Sequence, residues 1–347
     1  NTAVNVDGID NGDINEFRAS PVIAANSDRV VVFWSETNTD SGSSSDQDIV
    51  FSSSTNDGTS WSDYDDVSEH YYEAFSGLPS LAYSGDFIYL VYMDNGDYDQ
   101  ENNPNGNDAA DRDGDIYFQR SDDEGESWDS LKVLSLFDED EENDLDYTSI
   151  LLQYRTDVAA TGNYVHVAWV DYDSYNGGYD IYYTKSSNNG NTWTTPESVS
   201  TASSPGGVTI ASSGSDVVIA WVDFGDVFHV SSSNNGDSWS SETELESLST
   251  SLNYMPEIIH NEGKFHVIWS NTASGQSVQY TSSEDGFDWS DTVYINTGGK
   301  SGTSYTPVIS ADGPKLYAAW SDSGDYDGDS SSDYDIVGAV SDDNGET

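Results

Sequence analysis

The sequence lacks several features that would define a function directly. Its 347 residues include no cysteine, which excludes disulfide bonds and thiol chemistry. Lys and Arg number 10 against 64 Asp and Glu, so the formal net charge is −54. Because phosphate binding depends on basic side chains, this balance excludes nucleic acid as a partner. No apolar run reaches the roughly 18 residues of a membrane-spanning helix, so we expect no membrane insertion.

The acidity narrows the environment in which the chain works. Self-repulsion of this size destabilises a compact chain unless salt or bound cations screen it. Asp outnumbers Glu, and Ser, Gly and Asn are abundant. Two environments fit this composition, a high-salt (halophilic) habitat and a calcium-rich extracellular one. No basic and apolar leader precedes Asn1, which is typical of a mature or excised product.

What the chain has in abundance is one short motif, Ser-x-(Asp/Asn)-x-Gly-x-(Ser/Thr)-Trp. We call its six copies repeat turns 1 to 6, at residues 54–61, 121–128, 186–193, 232–239, 282–289 and 341–347. The fifth copy is looser, and the sixth stops one residue before its Trp. Each copy follows a short apolar, β-prone run, and its Gly and Asp or Asn favour a reversal of the chain. Each copy therefore predicts the turn of a β-hairpin.

The spacing and residues of these copies resemble the Asp-box (BNR) repeat of the sialidase-like β-propellers, and the resemblance covers the whole chain. The segments between the turns fit four strands per repeat. Predicted inner strands, which often contain Pro, are 17–25, 75–83, 154–160, 208–212, 254–260 and 305–311. Predicted second strands, which end in an aromatic residue, are 30–34, 87–92, 164–169, 217–221, 265–269 and 316–320. The third strand leads into the repeat turn and the fourth leaves it.

We therefore predict an all-β, six-bladed β-propeller of four-stranded antiparallel blades, a single domain over residues 1–347. The ten Trp residues close second strands or end repeat turns, which assigns them to the core. The sixth unit has no fourth strand after its turn. We expect the N-terminal strand Ala3–Val6 to supply it and so close the propeller. The abrupt end also predicts that the chain is a module of a longer protein.

Acidic residues concentrate between the second and third strands, on the face that the resemblance places opposite the repeat turns. Asp alternating with Gly and Asn suits Ca²⁺, which takes six to eight oxygen ligands on a curled backbone. The candidate calcium ligands are Asp94, Asp97, Asp99, Asp111, Asp113, Asp115, Asp171, Asp173, Asp180, Asp322, Asp325 and Asp327. The alternative is that these are solvated surface loops, whose outermost Asp residues bond nearby backbone N–H groups.

Both ends of these loops are acidic in four repeats. The pairs are Asp94 with Asp115, Asp171 with Asp180, Asp223 with Asp226, and Asp322 with Asp335. The fifth repeat departs from this pattern, because Asn271 and Ser277 stand at the corresponding positions.

The resemblance also implies how a sugar would bind. Sialidases hold the substrate carboxylate with three arginines, one of them in a Phe/Tyr-Arg-Ile-Pro motif. Residues 17–21, Phe-Arg-Ala-Ser-Pro, are similar to that motif, and Arg155 stands at the equivalent point of the third repeat. Arg18 and Arg155 are thus candidate ligand-binding residues, although a salt bridge is the alternative for Arg18. No arginine follows Arg155, so the third member is missing.

These observations favour an extracellular or cell-surface, calcium-binding module with a binding or structural role in adhesion, glycan or subunit contact. No catalytic residue is assigned. The alternative is a glycoside hydrolase of the sialidase type, or a divergent relative that acts on another polysaccharide. The five His residues show no zinc-ligand spacing.

Overall fold

The computed structural model describes residues 18–37, 47–68, 75–94, 115–135, 156–173, 178–202, 204–246, 253–271, 277–295, 304–324 and 334–347. The regular secondary structure of these ranges is β-strand throughout. They contain no helix that is long and apolar enough to cross a membrane.

The strands form six antiparallel sheets, numbered 1 to 6 in chain order. Sheet 1 holds β1 (Arg18–Ala25), β2 (Val30–Thr37), β3 (Gln47–Ser54) and β4 (Asp65–Asp66); sheet 2 holds β5 (Ser76–Ser84), β6 (Phe87–Asp94), β7 (Asp115–Ser121) and β8 (Lys132–Val133). Sheet 3 holds β9 (Thr156–Thr161), β10 (Tyr164–Asp173), β11 (Gly178–Ser186) and β12 (Glu197–Ser198); sheet 4 holds β13 (Pro205–Ser213), β14 (Asp216–Asp223), β15 (Asp226–Ser232) and β16 (Thr243–Glu246). Sheet 5 holds β17 (Asn253–Asn261), β18 (Lys264–Asn271), β19 (Ser277–Ser283) and β20 (Val293–Tyr294); sheet 6 holds β21 (Ser304–Asp312), β22 (Lys315–Asp322) and β23 (Asp335–Ser341).

Strands that follow one another in sequence also lie next to one another in every sheet, and the fold is a six-bladed β-propeller. The predicted fold class is therefore confirmed. The predicted closing strand at Ala3–Val6 lies outside the described residues, so it stays a prediction, as does the single-domain organisation. The chain divides into two compact units. The first includes sheets 1 and 2 with residues 156–167 and 186–196, and the second includes residues 168–185 and sheets 4 to 6.

The inner strands differ from their predicted form in one respect. The pairing register shifts near the start of β1, β5, β13, β17 and β21, which marks a β-bulge in each. Ser20, Leu78 and Thr306 have φ of 51°, 53° and 42° there, and a proline follows each of them. Proline donates no hydrogen bond and is tolerated in a sheet at bulges. β13 begins at Pro205, three residues before the predicted Val208, and its register shift lies between Gly206 and Thr209.

Repeat turns 1 to 5 are confirmed as hairpin turns between the third and fourth strands of their sheets, and one hydrogen-bond pattern recurs among the repeat turns. In repeat turn 2, Gly125 N donates to Ser121 Oγ at 2.7 Å, and Ser127 N donates to Asp123 Oδ1 at 2.8 Å. The same two bonds recur in repeat turns 1, 3, 4 and 6. In repeat turn 5 the serine that accepts from Gly286 is Ser283, so this turn is one residue shorter than the alignment from Ser282 predicts.

The residue three positions before the first serine of a turn packs on the turn of the next sheet. Ring centroids lie 5.7 Å apart for Phe51 and Trp128, and 4.7 Å apart for Phe118 and Trp193. The same contact joins Tyr183 to Trp239 at 4.8 Å and His229 to Trp289 at 5.4 Å. These contacts confirm a structural role for the tryptophans that end repeat turns 2 to 5, because each indole packs between two sheets.

Candidate functional site

The candidate site lies at the end of each sheet where the second strand passes to the third, which we call the loop-bearing end. Asp94 pairs with Asp115 directly across the sheet. The same register holds for Glu36 with Asp48, Asp223 with Asp226, and Asp322 with Asp335. Asn271 pairs with Ser277 in sheet 5, which confirms the predicted exception. Like charges directly opposite one another are destabilising in a sheet, so these carboxylates need hydrogen-bond donors or cations.

In sheets 1 to 3, a serine two residues after the fourth strand donates a hydrogen bond to the first acidic residue of the third strand. Ser135 Oγ donates to Asp115 Oδ1 at 2.8 Å and accepts from Ile116 N at 2.9 Å. Ser200 Oγ makes the same pair of bonds in sheet 3, at 2.5 Å to Asp180 Oδ1 and 2.9 Å from Ile181 N. The equivalent contacts in sheet 1 join Ser68 to Asp48 and to Ile49 N. The fourth strand, although only two residues long in these sheets, thus leads to a serine that fixes the carboxylate.

The acidic residues that end the second strands are held by other donors. Asp94 accepts a very short hydrogen bond from Ser76, and Asp322 accepts from Ser304 Oγ and Gly324 N, both at 2.8 Å. In two sheets the donor is an indole N–H. Trp34 Nε1 donates to Glu36 Oε2 at 2.8 Å, and Trp169 Nε1 donates to Asp171 Oδ2 at 2.9 Å. Asp94 and Asp322 are fully buried. Burial strengthens these hydrogen bonds and fixes the direction of each carboxylate.

Five of the twelve candidate calcium ligands lie in this framework. They are Asp94, Asp115, Asp171, Asp180 and Asp322, each at or near the end of a second or third strand. Asp173 is described by its backbone alone, in β10. The others, Asp97, Asp99, Asp111, Asp113, Asp325 and Asp327, lie outside the described residues. Within the described part of the chain, no group of three or more His, Asp or Glu side chains is placed to hold a metal ion. Calcium binding therefore stays a prediction.

The two candidate ligand-binding arginines are placed only in part. Arg18 begins β1, where its backbone pairs with Glu36 at the loop-bearing end, and its side chain lies outside the described part. The pairing register of β1 shifts between Ala19 and Val22. This shift overlaps the segment Arg18 to Pro21, which has one residue more between Arg and Pro than the Phe/Tyr-Arg-Ile-Pro motif. Arg155 lies outside the described residues.

Other basic residues bind the repeat turns at the opposite end of the sheets. Arg29 Nη1 donates to Glu124 O at 2.8 Å, and Lys185 Nζ donates to Asn235 O at 2.7 Å. Arg120 makes the equivalent bond to Asn189 O in a very short contact. Each of these contacts reaches from one sheet to the repeat turn of the next. Sequence reasoning did not identify them, although a basic residue directly before the first serine, as at Arg120 and Lys185, is a visible signal.

Two further groups have chemistry that the sequence did not single out. Tyr305, at the start of β21, lies edge-on to the exposed Tyr334, with ring centroids 5.6 Å apart.

The Nε2 atom of His229 accepts a hydrogen bond from Trp289 Nε1 at 3.0 Å. Its Nδ1 therefore carries the proton and donates it to Thr243 O at 3.0 Å. Burial lowers the pKa of His229 from 6.5 to about 4, which keeps the ring neutral.

The fold, rather than the sequence, connects this chain to known proteins. No family model and no curated protein match it. A mutant of the NanB sialidase from Streptococcus pneumoniae superposes with a TM-score of 0.58 at 16% sequence identity; the match covers 89% of this chain and 66% of that one. The intramolecular trans-sialidase from Ruminococcus gnavus gives a TM-score of 0.59 at 14% identity over 88% of this chain and 90% of that chain.

A protein of unknown function from Dyadobacter fermentans is similar over almost its whole length. Its TM-score is 0.61 at 13% identity, and the match covers 94% of this chain and 95% of that chain. At these identities the likeness establishes the sialidase-like propeller fold and nothing about activity.

Proposed function

We propose that this protein is a non-catalytic, calcium-binding propeller module that works outside the cell or at its surface. Its loop-bearing end makes the adhesive, glycan or subunit contacts. The observation that supports this most directly is the in-register pairing of carboxylates at that end, in sheets 1, 2, 4 and 6. A sialidase-type site holds an anionic substrate with three arginines, whereas this sequence offers two candidates, Arg18 and Arg155, among many acids.

The geometry of the carboxylates suits a cation. Each oxygen of a carboxylate has two lone pairs, so an oxygen that accepts one hydrogen bond can still bind a metal. Asp94 and Asp322 are already oriented by Ser76 and Ser304, which lowers the ordering cost of binding. The segments that follow them are rich in Asp, Asn and Gly and supply further oxygen ligands. Bound Ca²⁺ would also offset part of the net charge of −54.

Thermal melting with and without a chelator tests the calcium proposal. We expect the midpoint to fall when calcium is removed at a fixed, high sodium chloride concentration, because sodium then keeps general screening constant. The double variant Asp111→Asn with Asp113→Asn should reduce the response to calcium. Glu284→Gln, an exposed acid of repeat turn 5, is the matched control and should respond as the wild type does. An unchanged midpoint with chelator would contradict the proposal and leave the halophilic explanation of the acidity.

The arginines support the absence of catalysis. Of the five in the chain, Arg29 and Arg120 are engaged with the repeat turns of neighbouring sheets. Arg18 and Arg155 are the two that the resemblance places at the sugar-binding end, one fewer than the three of sialidases. The fifth, Arg112, lies in the acidic segment between Asp94 and Asp115 and matches no sialidase motif. We therefore expect no turnover of a fluorogenic sialoside.

The rival function is a glycoside hydrolase, and the structural neighbours named as sialidases are the observation that favours it. Hydrolysis of the sialoside that Arg18→Ala abolishes and Lys315→Ala preserves would establish this rival. Lys315 is a suitable control because it is half exposed and pairs with Asp342 beside repeat turn 6.

A further inference from the structure

One turn at the loop-bearing end is shorter than the segments that join the second and third strands of the other sheets. Asp223 and Asp226 face each other in sheet 4 and are joined by two residues, Phe224 and Gly225. Both have positive φ, 47° and 94°, as a tight hairpin of the type I′ class requires. Asn-Gly is the favoured pair in such a turn, because Asn tolerates the left-handed region and Phe does so poorly. Phe224 is also 76% exposed, so neither its backbone nor its packing accounts for its presence.

Residues held in a sparsely populated backbone region cluster at functional sites, and the positive φ of Phe224 is such a conformation. The hairpin holds the ring at a fixed position, so little conformational entropy is lost when it is buried. The ring sits on the tip of a turn, which suits insertion into a groove on a protein surface better than enclosure of a small ligand. Its two flanking carboxylates favour a groove that carries positive charge.

This chain has such a groove. It lies between β8 and the segment after repeat turn 3, has a volume of about 470 Å³, and is lined by Leu131, Lys132, Val133, Leu134 and residues 193–196. The volume falls within the roughly 300–1,000 Å³ of pockets that hold compact ligands, so it is large enough for a phenyl ring. Among the residues that the structure describes, no acidic side chain lines the groove. The one charged residue of this described lining is Lys132, whose Nζ lies 5.8 Å from the ring centroid of Phe118.

We propose that Phe224 of one molecule inserts into this groove on a second copy, with Asp223 and Asp226 facing Lys132. The contact joins two different surfaces, so it is heterologous and extends into chains unless its rotation closes a ring. Self-repulsion between such acidic molecules opposes it at low salt. At about 1 M salt the Debye length is about 3 Å, so the apolar contact dominates.

Sedimentation velocity over a concentration series in about 1 M sodium chloride tests this. We expect reversible self-association that Phe224→Asn weakens about tenfold or more, since central aromatic contacts carry most of the binding energy of an interface. Phe224→Asn creates the Asn-Gly pair that this turn favours, so the melting midpoint of the variant should equal or exceed that of the wild type. Phe287→Asn, which removes another exposed aromatic side chain, is the matched control and should associate as the wild type does.

The groove is tested separately through Thr195, an exposed residue of its lining. Thr195→Glu should weaken association because it faces Asp223 and Asp226 with a like charge, and Thr195→Lys should strengthen it. Charges that are partly buried in the contact are screened less by salt than the exposed charges of the two molecules. A monomer at every concentration would overturn the proposal. So would an association that Phe224→Asn leaves unchanged, or one that the two Thr195 variants shift in the same direction. The contact rests on the part of the proposed function that assigns subunit contacts to the loop-bearing end. None of these outcomes requires bound calcium, so the failure of this contact would leave the calcium proposal standing.

Discussion

Replacing Gly190 with alanine separates the two reasons for a glycine in a repeat turn. Gly190 has φ of 78°, and a Cβ built on it would lie 2.4 Å from Phe118 Cζ. Gly162 has φ of 60° in the turn between β9 and β10, and a Cβ there meets no atom within 4 Å. Both glycines therefore carry the backbone cost of a left-handed alanine, and only Gly190 adds a steric clash.

The magnitudes follow from these geometries. A non-glycine residue in the left-handed region costs about 1–2 kcal/mol, reduced by about 0.4–1 kcal/mol because alanine also restricts the unfolded chain. Forcing a methyl group into a packed core costs about 1–3 kcal/mol. We therefore expect Gly162→Ala to lower the free energy of unfolding by about 1 kcal/mol and Gly190→Ala by about 2–4 kcal/mol.

The assay is urea denaturation at fixed salt, with the midpoint and the slope measured for each variant. A lower midpoint with an unchanged slope reports a loss of stability rather than a change in the unfolded state. Equal losses for the two variants would refute the reasoning, because the close approach of Phe118 to Gly190 would then add no steric cost. In a Phe118→Leu background, Gly190→Ala should cost less than in the wild type if the clash is its cause.

Two further predictions concern titration and the basic residues. The folded pKa of His229, about 4, lies below the ordinary 6.5, so the stability that its neutral ring contributes is complete above pH 6.5 and is lost as the pH falls toward 4. The wild type should lose up to about 3 kcal/mol more than His229→Phe over that range, measured by denaturation at each pH, and parallel curves would contradict this assignment. Arg120→Met should lower stability by about 1–3 kcal/mol, because it strips a partly buried contact from Asn189 O and Asp129. Lys315→Met, which loses only a half-exposed pair, should change it by less than about 0.5 kcal/mol; equal effects would show that the bonds to the repeat turns carry no special weight.

The strand order of the fold follows from local signals that sequence reasoning can use. A Ser, an Asp or Asn and a Gly at fixed spacing specify the hydrogen bonds of each repeat turn, so these hairpins were predictable. The alignment of repeat turn 5 from Ser282 is wrong, because Ser282, Gly286 and Trp289 stand at the spacing of a full-length copy. The structure instead places the accepting serine one residue later, at Ser283. The bulges of the inner strands were missed because the pattern of apolar residues does not reveal an extra unpaired residue.

The candidate site was predictable only where it depends on strand pairing. Asp94 and Asp115 frame a loop between consecutive strands, so antiparallel pairing alone brings them together. The donors that hold them depend on other strands: Ser135 follows the fourth strand, and Ser76 begins the first. The bond from Lys185 to Asn235 O joins two sheets. The basic residue before the first serine is visible in the sequence, but its partner on the next sheet is not specified by a local pattern. Phe224 was overlooked because its meaning depends on φ and exposure, which the sequence does not give.

The most direct test of the account is a crystal structure grown with calcium or soaked with terbium, with anomalous diffraction used to locate the ions. We expect six sheets with the strand order described here, and ions bound at the segments that follow Asp94, Asp171 and Asp322. If no anomalous peak occurs at any of the three segments at a saturating lanthanide concentration, calcium binding at the loop-bearing end is contradicted.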